Sequence, residues 1–141
     1  MQNQPTILFG KDELGLEWFD GISQQASLTI REAIAFMDAR VKESLSLPEV
    51  AEYVNLNPSY LSVLFKEQTS VTFSEYLMRR KVQEAKKLLV SSGMSIDEVA
   101  AAIGYQSPKY FIKLFKQFEG TTPGRYRRQF HEKMSWAVEN S

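Results

Sequence analysis

The sequence predicts an all-α fold in which a long connecting helix joins two helix-turn-helix subdomains. Three observations lead to this prediction: a sequence motif that occurs twice, two matching helix starts upstream of it, and a helical segment between the copies. The motif is "NPSYLSVLFK" at residues 57–66 and "SPKYFIKLFK" at residues 107–116. Each copy places a polar residue and a proline before an apolar stripe, which is the pattern of a capped amphipathic helix.

The matching helix starts are two capping boxes. Ser46 is followed three residues later by Glu49, and Ser95 is followed by Glu98. In such a box the serine oxygen accepts a hydrogen bond from a backbone N–H of the helix, and the glutamate accepts one from the serine N–H. The two capping boxes are 49 residues apart, and the two copies of the repeated motif are 50 residues apart. The inserted residue therefore falls in the turn between the two helices, where insertions cost least.

Turns and caps lead from each short helix to the next one. Asn55 and Gly104 are predicted to make the turns, because Asn and Gly tolerate a left-handed backbone. Asn57 and Ser107 are predicted to cap the second helices, and the proline that follows each of them fits the first helical position. A short helix, a turn and a second helix form a helix-turn-helix.

Apolar spacing predicts which residues are buried in these helices. A helix capped by Ser27 or Thr29 precedes the first copy, with apolar residues at steps of three and four: Ile30, Ala33, Ile34, Met37 and Val41. The second helices are predicted at about 58–68 and 108–118, with buried stripes of Leu61, Leu64 and Phe65 in the first and Phe111, Leu114, Phe115 and Phe118 in the second. Gly120 is predicted to end the second of them.

These patterns divide the chain into five segments. The first has glycines and a proline with no sustained period. The segments are 1–26, a linker or N-terminal extension; 27–73, the first helix-turn-helix subdomain; 74–91, the connecting helix; 92–133, the second helix-turn-helix subdomain; and 134–141, a C-terminal tail.

Composition excludes several kinds of site. The 141 residues are 43% hydrophobic, which is enough for one or two small cores. There is no cysteine, so disulfides, thiol catalysis and cysteine metal sites are excluded. His131 is the single histidine, and no catalytic motif surrounds it. We therefore expect no enzyme activity and no cofactor. The sequence shows no membrane-spanning or signal segment, so we expect no membrane partner and a reducing, cytoplasmic setting.

The net charge is zero, but the charge is unevenly distributed. Residues 107–133 hold seven basic and two acidic residues, a net charge of +5, and residues 73–90 hold five basic and two acidic residues, a net charge of +3. A clustered positive charge is more informative about nucleic-acid binding than the total. Four basic residues of the connecting helix are expected to face solvent: Arg79, Arg80, Lys86 and Lys87.

The sequence resembles the DNA-binding domain of the AraC/XylS family of bacterial transcription regulators. The resemblance covers about residues 46–128 and rests on "LPEVAEYVNLNPSYLSVLFKE", "EYLMRRKVQEAKKLL", "SIDEVAAAIGYQSPKYFIKLFKQFEG" and "TTPGRYR". It implies about seven helices in two homeodomain-like three-helix units, each with a recognition helix that enters a major groove of promoter DNA. A connecting helix of this length spans roughly 25 Å, the order of the about 34 Å between successive major grooves.

The resemblance also implies which residues meet DNA. The positions that match base-reading positions are Ser59, Ser62 and Val63 in the first copy and Pro108, Lys109, Tyr110, Ile112 and Lys113 in the second. The positions expected to contact phosphate are Tyr60, Lys66, Lys116, Arg125, Arg127 and Arg128.

Some of these residues have a second interpretation. The rings of Tyr60 and Tyr110 either pack between helices or bring a hydroxyl to phosphate. Lys109 and Lys113 either contact DNA or are solvated on a helix face. Arg127 either contacts phosphate or forms a structural ion pair.

The chain departs from the family pattern at three positions. Val63 stands where a base-reading arginine is common, Ser70 replaces a glycine after the first recognition helix, and Lys81 replaces an arginine. Val63 can contact a thymine methyl group but cannot hydrogen-bond a base edge. We therefore expect the second subdomain, with Lys109 and Lys113, to contribute more affinity than the first.

Two hypotheses from different functional classes follow. In the first, the chain is a sequence-specific double-stranded DNA-binding regulator, an activator that recruits RNA polymerase and resembles the output domain of a two-component response regulator. A sensor or receiver domain is then a further partner. In the second, the chain is a helix-turn-helix protein-interaction module with weak or no DNA binding.

Overall fold

The computed structural model describes residues 7–11, 17–22 and 27–140, with side chains from residue 27 onward. Over residues 27–140 the fold is all-α, as predicted, and seven helices lie in this part of the chain. Their bounds are α1, Leu28–Ala39; α2, Leu47–Tyr53; α3, Pro58–Thr69; α4, Phe73–Ser91; α5, Ile96–Ala102; α6, Pro108–Glu119; and α7, Pro123–Glu139.

Two short strands precede the helices, and they were not predicted from the sequence. Strand β1 spans Ile7–Lys11 and pairs antiparallel with β2, Glu17–Ile22. The register pairs Phe9 with Phe19, and it shifts between Ile7 and Phe9. Glycine and aspartate are depleted in strands, and both occur within these ten or so residues, so propensity alone gave a weak signal there.

The chain divides into two compact units, and the boundary lies between Arg80 and Lys81, inside α4. The first core takes its buried side chains from α1, α2, α3 and the beginning of α4: Ile30, Ala33, Ile34, Met37, Val50, Ala51, Leu61, Phe65, Phe73, Tyr76 and Leu77. The second core takes them from the rest of α4, from α5 with the residue after it, and from α6: Val82, Ala85, Leu89, Val99, Ala100, Ile103, Phe111 and Phe115. One helix thus supplies apolar residues to both cores.

Matching aromatic pairs show that the two units share one scaffold. In the first unit Phe65 meets Tyr76 edge to face, with ring centroids 5.6 Å apart. In the second, Phe115 meets Tyr126 in the same way at 5.7 Å. Each pair packs the recognition helix against the helix that follows it. Edge-to-face pairs add to the stability that burial alone provides.

A partly buried hydrogen-bonded cluster ties α1 to α4 in the first unit. The Tyr76 hydroxyl donates to Asp38 Oδ1 at 2.9 Å, and Arg80 Nε donates to the same oxygen at 2.9 Å. Burial, with the Asp38 carboxylate beside it, raises the pKa of the Tyr76 phenol. The phenol therefore stays protonated and keeps donating throughout the physiological pH range.

The capping boxes predicted from the sequence are both formed. Ser46 accepts from the Glu49 N–H while Glu49 accepts from the Ser46 N–H, and Ser95 and Glu98 repeat the arrangement. The hydrogen bonds that Ser95 gives to Glu98, from its N–H above all, lower the pKa of the Glu98 carboxyl. These caps start α2 and α5, the first helix of each helix-turn-helix.

Helix α7 extends further than was predicted from the sequence. It runs to Glu139 and so includes most of the segment that was predicted as a C-terminal tail. Residues 131–140 are all exposed. No helix among residues 27–140 is long and apolar enough to cross a membrane.

Candidate nucleic-acid interface

The turn between the paired helices has the same geometry in both units. Asn55 has φ 59° and Gly104 has φ 91°, so both occupy the left-handed region, as predicted. The residues that follow them, Leu56 and Tyr105, each donate a backbone hydrogen bond into the preceding helix, to Ala51 O at 2.9 Å and to Ala100 O at 3.0 Å. Equal turns fix the angle between the two helices in the same way. Each unit is therefore a complete helix-turn-helix.

Side-chain caps start the two recognition helices, α3 and α6. Asn57 Oδ1 accepts from the Ser59 N–H at 2.8 Å, and Ser107 Oγ accepts from the Tyr110 N–H at 3.2 Å. A proline occupies the first helical position in both. The caps satisfy N–H groups that the helix itself cannot satisfy.

The buried stripe of each recognition helix follows the predicted spacing. Leu61 and Phe65 are fully buried in α3, and Phe111 and Phe115 are fully buried in α6. Leu64 and Phe118 are half-buried and pack against the two cores. The stripe orients each helix, because burial on one side leaves the opposite side exposed.

The exposed face of α6 carries three lysines. Lys109, Lys113 and Lys116 are exposed, while Pro108 and Ile112 are half-buried between that face and the core. The helix also contains Glu119 at its last position, but an ion pair removes that carboxylate from the lysine face, as described below. The face therefore presents positive charge over about two turns.

The exposed face of α3 is electrically different. Ser59, Val63 and Lys66 are exposed there, and Ser62 is half-buried. The one lysine is followed by an exposed acidic residue, Glu67, so the exposed charges of α3 sum to zero. The scaffold is repeated, but the charge is not.

Tyr60 and Tyr110, the tyrosines of the repeated motif, lie in different surroundings. Tyr60 is 55% exposed and Tyr110 is 46% exposed, so neither ring is packed inside a core. Tyr110 meets Tyr105 edge to face, with ring centroids 5.8 Å apart. Burial and the neighbouring Tyr110 raise the pKa of Tyr105 to about 12. Tyr110 thus combines both sequence interpretations: its ring has a packing partner, and nearly half of the side chain remains accessible.

Among the three arginines of α7, Arg127 differs from the other two. Arg125 and Arg128 are exposed. Arg127 is half-buried, and its Nε donates to Leu89 O at 2.8 Å, with a second guanidinium nitrogen 3.5 Å from Ser92 O. It therefore satisfies carbonyls at the end of α4, which a helix terminus leaves without partners. The role of Arg127 is therefore structural, but its partners are backbone carbonyls and not the carboxylate of an ion pair. Arg127 is not one of the exposed cations of the interface.

Lys86 was expected to face solvent, and this expectation is wrong. Its side chain is 2% exposed, and its Nζ lies 2.9 Å from Glu119 Oε1. Lys86 also lies over the ring of Tyr126, with Nζ 5.6 Å from the centroid. The pair joins α4 to the last residue of α6. A signal was present in the sequence, since Lys86 falls at a helical spacing from Val82 and Leu89, which are both buried.

A second buried lysine, Lys81, supports the turn of the second unit. Its Nζ donates to Ile103 O at 2.9 Å and lies 5.6 Å from the centroid of the Tyr105 ring. Ile103 is the C-cap of α5. The lysine that departs from the family pattern thus still binds the turn that leads into α6.

Comparisons with known proteins agree with this geometry. A family model described as "Helix-turn-helix domain" matches residues 50–129. The regulatory protein PocR of Salmonella typhimurium is 35% identical over 103 residues, which are 73% of this chain and 34% of PocR. This chain spans less than half the length of the curated relatives that it matches.

Solved structures with the same fold include C-terminal domains of response regulators. The C-terminal domain of AraT, a response regulator from Geobacillus stearothermophilus, matches with a TM-score of 0.72 at 32% identity, over 75% of this chain and 88% of that chain. The C-terminal domain of the two-component response regulator yesN from Fusobacterium nucleatum matches with a TM-score of 0.68 at 27% identity, over 72% of this chain and 99% of that chain. The matched proteins are regulators, and the matched region is a helix-turn-helix domain rather than an enzyme domain. The chain belongs to the AraC/XylS family of helix-turn-helix transcription regulators.

Proposed function

We propose that the chain binds double-stranded promoter DNA in a sequence-specific manner and acts as a transcription activator. The observation that carries the proposal is the exposed face of α6, where Lys109, Lys113 and Lys116 stand opposite a fully buried stripe. A recognition helix of a helix-turn-helix lies in the major groove, where lysine can bond guanine and neutralise phosphate.

The proposal assigns the two recognition helices to successive major grooves. Residues 27–73 and 92–133 form the two subdomains, and α4 connects them. The base-reading residues are Ser59, Ser62, Val63, Pro108, Lys109, Tyr110, Ile112 and Lys113. The phosphate contacts are Tyr60, Lys66, Lys116, Arg125 and Arg128. Phosphate contacts would set the register, and base contacts would select the sequence.

We further propose that this DNA-binding part works under a sensor or receiver domain and recruits RNA polymerase. Two of the solved relatives are C-terminal domains of response regulators, which supports an output role. A bacterial promoter lies in the cytoplasm, so the proposal places the chain there.

The test is selection of duplexes from a random pool, followed by fluorescence anisotropy at two salt concentrations. We expect one motif that spans two major grooves, bound with an affinity that falls steeply with salt. The double variant Lys109→Ala/Lys113→Ala should lose about tenfold or more in affinity for that motif. Its matched control, Arg31→Ala/Lys42→Ala, removes two exposed cations from the first unit, away from α3, and should bind as the wild type does.

One observation favours the protein-interaction alternative, namely that the exposed face of α3 carries no net charge. The same experiment separates the two functions. A flat salt response and no enriched motif would contradict the DNA-binding proposal and favour the interaction module.

A further inference from the structure

The exposed face of α3 combines two large apolar side chains that the fold does not use. Tyr60 is 55% exposed and Val63 is 57% exposed. The two are three residues apart in one helix, so they are neighbours on its surface. Neither belongs to the buried cluster of the first unit. They form a small apolar patch in the first half of the helix that we propose enters the major groove.

Folding gives no reason for valine at this position. Valine is a poor helix former compared with alanine, lysine or glutamine because its branched side chain loses rotamer freedom in a helix. Isolated exposed apolar residues are common on protein surfaces. At the equivalent position of the second unit, however, the same scaffold carries exposed Lys113. The valine therefore occupies a position at which a polar side chain fits the fold equally well.

The two faces differ in what they can recognise chemically. On α6, Lys109 and Lys113 stand where α3 has Ser59 and Val63. A lysine can bond a guanine edge or a phosphate, but valine can do neither. The major groove presents one apolar feature, the C5 methyl group of thymine, and an apolar side chain is the partner that it takes.

We propose that α3 reads thymine methyl groups through Val63, with the ring of Tyr60 beside it on the same face. This inference rests on the proposed function, because it names what one of the two recognition helices selects. The lysines of the second recognition helix then provide the charged readout. The half-site of α3 is selected by methyl contacts that depend little on salt.

Deoxyuridine is the appropriate probe, because it lacks only the C5 methyl group of thymidine and keeps its hydrogen-bonding edge. Each thymine in the selected duplex is replaced in turn by deoxyuridine, and the dissociation constant is measured for the full chain. Burial of one methyl group corresponds to about a fourfold change in affinity. We expect about that loss at one or two thymines with the wild type.

Variants assign the effect to the side chain. With Val63→Ala the deoxyuridine penalty at those thymines should become clearly smaller, because alanine keeps only its β-carbon for the methyl contact. The duplex that contains thymine should bind about fourfold more weakly. With Lys113→Ala, the matched change in α6, overall affinity should fall but the penalty at the same thymines should persist. Both positions are exposed, so far-UV circular dichroism and melting curves should show both variants folded as the wild type is.

The outcomes distinguish this inference from the function on which it rests. Sequence-specific binding without any thymine whose penalty depends on Val63 would overturn the inference and leave the proposed function intact. Absence of any selected duplex would overturn both.

Discussion

Single backbone positions show how closely the two units match. The recognition helices α3 and α6 are followed by the C-cap residues Ser70 and Gly120, with φ 69° and φ 77°. Each of these residues donates its N–H to a lysine carbonyl one turn earlier, at 2.9 Å from Ser70 and 2.8 Å from Gly120. A left-handed residue at this place closes the helix, and glycine adopts the conformation at no steric cost. The first unit thus keeps the geometry without the glycine.

We predict that Gly120→Ala lowers the free energy of unfolding by about 1 kcal/mol, because alanine pays for the left-handed backbone. The substitution isolates that conformational effect, since a Cβ at Gly120 would meet no atom within 4 Å. Gly93→Ala is the matched control: its Cβ would also meet nothing within 4 Å, and its φ is not left-handed. Urea unfolding of both variants measures the difference. Equal stability of the two would contradict the prediction.

At the scale of elements, helix α4 is the part on which both units depend. Its beginning lies in the first core and its end in the second. Polar contacts secure the same helix: Arg80 bonds Asp38 of α1, and Lys86 pairs with Glu119 of α6. The Lys86–Glu119 pair also keeps an acidic group away from the lysines of α6. The helix therefore positions a recognition helix as well as connecting the units.

The buried pair Lys86–Glu119 is predicted to be costly to break from either side. Lys86→Met or Glu119→Leu should each lower the free energy of unfolding by about 3 kcal/mol, since each leaves a buried charged partner without compensation. The double variant Lys86→Met/Glu119→Leu should cost clearly less than the sum of the single changes, because it removes both buried groups. A double-mutant cycle in urea measures this coupling. Additive single effects would show that the two side chains do not stabilise each other.

At the scale of the whole molecule, the net charge of zero is the sum of two units of opposite charge. Residues 1–80 hold seven basic and eleven acidic residues, and residues 81–141 hold ten basic and six acidic residues. The units therefore carry net charges of −4 and +4. The net charge of the whole chain does not decide which surface contacts DNA, because exposed charges act mainly over about a Debye length. The second unit is the one that DNA would attract.

We predict that the double variant Arg125→Ala/Arg128→Ala weakens binding to all duplexes by a similar factor and leaves the selected motif unchanged. Both arginines are exposed, and loss of two phosphate contacts should reduce the slope of log K against log salt by about two. Arg31→Ala/Lys42→Ala changes the net charge equally but in the first unit, and it should leave the slope as it was. An equal change in both double variants would mean that only total charge matters.

The helical scaffold was largely predictable, because its signals are local. Capping residues, prolines at helix starts and apolar spacing each act within one or two turns, and the helices begin where those signals are. Strands β1 and β2 were not predicted. Their pairing depends on a partner segment and not on the residues of either strand alone.

The interface could be predicted only in part. The periodicity of α3 and α6 distinguishes the buried from the exposed side of each helix, and the exposed lysines of α6 follow from it. The sequence did not show that Arg127 bonds the carbonyls of Leu89 and Ser92 or that Glu119 is the partner of Lys86. Long side chains reach partners that are distant in sequence, so their roles depend on packing.

The sequence by itself determined the doubled helix-turn-helix, its caps and turns, and the membership of its family, because these depend on spacing between near neighbours. The tertiary structure alone decided which cations remain available at the surface. Among the basic residues predicted to meet DNA or solvent, Arg127 and Lys86 are engaged inside the second unit, while Lys109, Lys113 and Arg128 stay exposed. The physical reason is that a charge is buried only where a partner is brought to it, and folding brings the partners from other helices.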